Sequence, residues 1–155
     1  MSQAIKTLLF DRDTFFSGEN FWQPSLCELI EPLSFEQALW KPSPERHSIW
    51  ELLRHINFWK EYVIALGRST QLPDTASGDW STAPVDASED NWKKEIARAK
   101  QLDKELSIVI SEMGEKIFET GEKSANYIRQ ILCHDTYHTG QIGLLRVMQG
   151  IKHTN

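Results

Sequence analysis

The chain has 155 residues, 40% hydrophobic and 25% charged, and carries a formal net charge of −5. That is one domain's worth, long enough to bury a core without disulfides or a structural metal, and its scattered lysines and arginines exclude the basic stripe of a phosphate-backbone binder. No apolar run approaches the roughly 18 residues of a bilayer span, and Asp11 and Arg12 interrupt MSQAIKTLLFDRDTFF too early for a signal peptide, so a single cytoplasmic domain over residues 1–155 with no nucleic-acid or membrane partner is expected.

The residues ahead of Gly18 read as a short helix or coil. After it, NFWQPSLCELIE (20–31) repeats Phe21, Trp22, Leu26, Leu29 and Ile30 at helical spacing, with Pro24 tolerated in the first turn and Pro32 ending the helix. SFEQALWKPSPERH (34–47) follows as a helical turn and loop: Ser34 with Gln37 fits a capping box, and Pro42 and Pro44 forbid a long helix. Ser48, three residues before Glu51, opens a second helix to about Leu66. Ile49, Leu52, Leu53, Ile56, Trp59, Val63 and Leu66 form its buried stripe, and Gly67 is the expected stop. Residues 67–87 hold prolines, glycines and small polar residues with one large apolar group, Trp80, and read as a long connection.

A third helix over about 88–113 places Trp92, Ile96, Ala99, Leu102, Leu106, Val109 and Met113 on one face. Its KKEIARAK segment (93–100) is the densest basic cluster, and the spacing makes it a solvated helix face. The fourth helix spans about 124–149, with Ser124 as N-cap, Ile128, Ile131, Leu132, Ile142, Leu145 and Met148 as its apolar pattern, and Gly150 at its end. Strand-like alternation is weak throughout. The expected fold is therefore all-α, a four-helix bundle, and the connection of about 20 residues between helices two and three is long enough for a crossover. Cys27 and Cys133 lack CxxC spacing and are expected to be buried and reduced.

Four residues along an α-helix turn a side chain by about 400° and raise it by roughly 6 Å. His134 and His138, in CHDTYHTGQIGLLR (133–146), therefore stand one above the other, in the stripe that includes Ile131 and Leu145. That stripe points inward, so solvation does not account for them, and two imidazoles so placed can reach one ion. The pair also fits two core histidines with separate hydrogen bonds, or a wet bundle end. His55 adds a third imidazole, beside Leu52, Ile56 and Trp59 on a helix that can face the fourth. Two ligands from one helix and one from a neighbour leave a coordination position open, as in a catalytic zinc-type site. His47 and His153 take no assigned role.

HDTYH invites comparison with the HExxH of zinc proteases, whose glutamate is the general base. Asp135 stands in that place one methylene shorter, so the match is imperfect. Cys133 adjoins His134, and helical neighbours diverge by about 100°, which rules out a Cys–His nucleophile pair. No glycine-rich phosphate loop is present.

HSIWELLRHINFW (47–59), followed about eighty residues later by HDTYHTGQIGLLRVMQG (134–150), resembles the DinB-like superfamily, in particular its branch with tryptophan-rich helices. FWQPSLCELIEPLSFEQALWKPSP (21–44) agrees with that family's first helix and following turn, so the resemblance runs from about residue 18 onward. It implies a four-helix bundle with a long crossover between helices two and three, and one divalent metal ion, zinc or nickel, on three histidines that match His55, His134 and His138. Gln141, of HTGQ, belongs to the motif and is expected, with Asp135, to hydrogen-bond behind the ligands. A homodimer is expected as well.

Several relatives are thiol-dependent transferases or isomerases in which the metal lowers the pKa of a low-molecular-weight thiol. The family's name refers to DNA damage, yet nothing in this acidic chain suggests DNA contact. The expected function is a metal-dependent enzyme whose ion takes a substrate thiolate or water. Thiol-dependent S-transfer to a small electrophile leads on family analogy, with a hydrolase and a non-catalytic dimeric metal-binding or stress-response module as alternatives. Trp59 and Trp80 are expected to line the pocket or its lid, with core packing the competing role for Trp59.

Overall fold

The computed structural model describes residues 1–19, 22–80 (of 77 and 78 the backbone alone), 84 and 86–152. In chain order its helices are α1 (Gln3–Phe16), α2 (Leu26–Ile30), α3 (Phe35–Leu39), α4 (Ile49–Arg68), α5 (Thr75–Gly78) and α6 (Glu89–Met113), then a 3-10 turn (Gly114–Phe118) and α7 (Lys123–Met148). Among the described residues there is no strand, and the fold is all-α. Serines fix most of the starts: Ser2, Ser25, Ser34, Ser48 and Ser88 accept hydrogen bonds from the backbone N–H three residues on, at α1, α2, α3, α4 and α6. Each satisfies a donor that the helix itself leaves unpaired.

The first bundle helix is not where the apolar spacing puts it. Ser25 and Glu28 form a reciprocal capping box, so the segment expected to be helical over 20–31 is helical only over Leu26–Ile30. Trp22 stands 89% exposed, and Phe21 lies outside the described residues. The long helix comes instead from the segment read as short helix or coil: α1 buries Ile5, Arg12 and Phe16. A guanidinium in the middle of its inward face hides the apolar period. At the other end Ser124 is not a cap; it lies inside α7 and donates to Glu122 Oε1 at 2.8 Å.

Gly67 does not stop α4 but sits inside it. A Cβ there would meet Val109 Cγ1 at 2.5 Å and Ile128 Cδ1 at 3.0 Å, so the missing side chain lets α4 approach α6 and α7. The helix ends at Ser69, in a left-handed conformation at φ 55° and ψ 38°.

Side-chain pairs give the helix directions. Asn57 meets Glu95, Glu61 meets Arg98 and Arg68 meets Glu105, so positions rise together and α4 runs parallel to α6. His55 meets His134 while Tyr62 meets Tyr127, so α7 runs antiparallel to α4. The end of α4 and the start of α6 therefore lie at opposite ends of the pair, the arrangement a long connection permits. The apolar core falls into two clusters: one gathers Leu53, Ile56, Trp92, Ala99 and Ile142, the other Val63, Leu102, Leu106, Ile128 and Ile131. Polar side chains, His55, Lys60, Asp103 and His138 among them, are buried at the junction.

Candidate metal centre

His55 projects from α4 two turns beyond the Ser48–Glu51 box, while α7 supplies His134 and His138 four residues apart. One ring nitrogen from each of the three lies within 4.8 Å of the other two. His55 Nε2 and His134 Nε2 are 3.1 Å apart. Two nitrogens about 2.0–2.1 Å from one tetrahedral ion stand roughly 3.3 Å from each other, so this spacing suits a shared cation.

The remaining ring nitrogens decide what the inner ones can do. His55 Nδ1 donates to the Asp79 carbonyl oxygen at 2.7 Å and lies 3.1 Å from that residue's Oδ1. His134 Nδ1 donates to Asp135 Oδ1 at 3.1 Å, and His138 Nδ1 to Gln141 Oε1 at 2.6 Å. The Gln141 amide is itself oriented, its Nε2 donating to the Tyr137 hydroxyl at 3.3 Å. A proton on each Nδ1 leaves the Nε2 lone pairs of all three rings available, the tautomer that metal-bound histidines adopt.

Burial pushes the same way. His55 and His138 are 5% and 6% exposed, and desolvation lowers both pKa values, that of His138 to about 4. Neutral imidazoles with converging lone pairs are what a divalent ion requires of its ligands. The donor set therefore fits a metal.

Asp135 is turned away from the cluster's centre: one oxygen faces His134 Nδ1 and the other lies 3.2 Å from Lys60 Nζ. It is not placed as the glutamate of HExxH is, because both oxygens are engaged behind the ligands. Trp80 stacks on His55 at 3.7 Å and on His47 at 3.9 Å, between the two imidazoles. Trp59 stands edge-on to His55 and His134, each at 6.4 Å.

Two residues near the centre carry little sequence signal. Asp79 lies 24 positions from His55 in a connection without periodicity. Lys60 is a buried cation among the apolar residues Leu53, Ile56, Val63 and Ile64 of α4, with buried Asn57 one turn away, and that misfit is the clue the sequence offers. The cysteines differ from each other: Cys27 is buried, with its thiol pushed up to about 12 chiefly by burial, whereas Cys133 is exposed, contrary to expectation, because it points outward from α7.

The sequence matches the DinB superfamily over residues 23–142. The chain belongs to the DinB superfamily. That span holds all three histidines and Gln141, and it leaves out α1. Comparison with curated proteins and with solved structures gives no match. Membership in this metal-binding superfamily and the three-histidine cluster agree on one chemistry, a site that could hold a metal ion.

Proposed function

We propose that His55, His134 and His138 hold one divalent ion, zinc or nickel, in a metal-dependent enzyme that transfers a small thiol to a small electrophile. The observation that carries this reading is the convergence of the three rings: one nitrogen from each lies within 4.8 Å of the other two, while every Nδ1 also meets an oxygen acceptor that favours a proton there and a free lone pair on Nε2. Three protein ligands leave a fourth position open, and a bound divalent cation with such a position favours the deprotonated form of a thiol or of water. The chain's own groups favour the thiol. A thiol starts from a pKa of about 8.5 and needs less help than water to ionise, while Asp135 and Asp79, the carboxylates beside the cluster, both face Nδ1 atoms and not its centre. Trp80, 43% exposed, stacks against the site, which supports a role in covering a bound substrate.

A homodimer belongs to the same reading. Cys133, Tyr137, Gly140, Leu144 and Val147 follow one another at alternating intervals of four and three along α7, all exposed, with Leu144 and Val147 each at 60%. That is the seam spacing of packed helices, and it fits the same helix of a second copy.

Metal analysis of protein purified without an immobilised-metal column tests the first claim: one ion per wild-type chain is expected, and little in His55→Ala. Turnover of a panel of thiols with alkyl halide and epoxide electrophiles tests the second. Turnover of esters or amides alone would favour the hydrolase, and bound metal without any turnover a non-catalytic module.

A further inference from the structure

His134 stands at the end of a chain of ion pairs that takes one buried side chain from each of α1, α6 and α4 and the half-buried carboxylate of Asp135 from α7. Arg12 grips Asp103, with Nη2 2.5 Å from Oδ2 and Nη1 3.1 Å from Oδ1. Lys60 places Nζ 3.1 Å from the same Asp103 Oδ1 and 3.2 Å from Asp135 Oδ2. The other oxygen of Asp135 lies 3.1 Å from His134 Nδ1. Arg12, Lys60 and Asp103 are 5%, 1% and 7% exposed, and the two cations balance the two carboxylates.

Asp135 follows His134 directly, and adjacent helical side chains diverge by about 100°. Left to itself, a short carboxylate at the edge of α7 would turn toward water. An ammonium on one of its oxygens fixes the carboxylate plane so that the other faces the imidazole. Lys60 has a long flexible stem, and Asp103, clamped by the planar Arg12 fork, limits where its Nζ can stand. A carboxylate behind a ligating histidine orients the ring and raises its donor strength, and losing such a partner costs 10–100-fold in metal affinity.

We propose that Lys60 is a positioning residue of the metal centre: anchored by Asp103 and Arg12, it holds Asp135 against His134 and so sets that ligand's orientation and donor strength. The proposal rests on the metal reading of the three histidines. It also gives α1, outside the matched family span, a part in the site.

The test is zinc affinity, by chelator competition, together with the visible absorption of the cobalt(II)-loaded protein. Two variants are compared with wild type, Lys60→Met and the triple Arg12→Met, Asp103→Leu, Lys60→Met. The triple replaces the three buried ions of α1, α4 and α6 by apolar groups, so it keeps the test usable if the single variant does not fold. We expect 10–100-fold weaker zinc binding and altered cobalt bands at saturating metal, with unchanged helical circular dichroism. A purely structural network would leave the cobalt spectrum as in wild type. A folded triple variant with wild-type affinity and spectrum overturns the proposal while the metal reading stands. A wild-type chain that binds neither ion overturns both.

Discussion

A histidine buried without its proton records in its titration what the surrounding side chains require. His55 and His138 have pKa values lowered by burial, His138 from 6.5 to about 4. In the unfolded chain both imidazoles protonate below about 6.5; in the metal-free folded protein they resist until the pH nears the lowered values. The unfolded state therefore binds more protons across that window, and the stability present above pH 6.5 is lost as pH falls toward 4, by about 3 kcal/mol for His138 alone. Urea denaturation of the metal-free protein should show a clearly lower midpoint at pH 5 than at pH 7.5, and the difference should shrink in His138→Gln. A midpoint indifferent to pH in wild type would contradict the assignment. At this scale the sequence is informative, because imidazoles on apolar helix faces need polar partners that a core of leucine and isoleucine does not supply. Asp79 is not legible, since nothing in a loop sequence says which carbonyl will reach a ring 24 positions earlier.

Elements are legible where a capping residue and an apolar period coincide, as at Ser48 for α4. Where the two signals separate, the apolar period misleads. Ser25 and Glu28 mark a later start than Phe21 and Trp22 suggest, and α1 is obscured because Arg12 occupies a core position. Gly67 shows the same conflict in one residue. Glycine ordinarily ends helices or weakens them by about 1 kcal/mol relative to alanine, yet here the space a Cβ would need is taken by Val109 and Ile128. Gly67→Ala should thus destabilise the protein by about 1–3 kcal/mol despite its better helix propensity, and Val109→Ala in the same chain should recover part of the loss. Thermal unfolding of the two variants checks this, and a stabilised Gly67→Ala would show that α4 does not approach its neighbours so closely.

Across the whole molecule, the two apolar clusters give the bundle its hold, and the charges between them tie four helices to the proposed centre. The exposed seam on α7 shares its helix with two of the three histidines, so pairing and metal binding would be built on one element. Leu144→Glu, at a position 60% exposed in the single chain, should leave the fold intact and shift the protein from dimer to monomer in sedimentation. A wild-type monomer at high concentration would rule the dimer out.

Everything proposed for the site depends on three imidazoles sharing one cation, and X-ray absorption of the zinc-reconstituted protein at the metal edge reads that arrangement directly. Three imidazole nitrogens at about 2.0–2.1 Å are predicted, falling to two in the small fraction of zinc that His55→Ala retains under excess metal. A first shell holding fewer than three imidazoles in wild type, or one unchanged when His55 is removed, would contradict it.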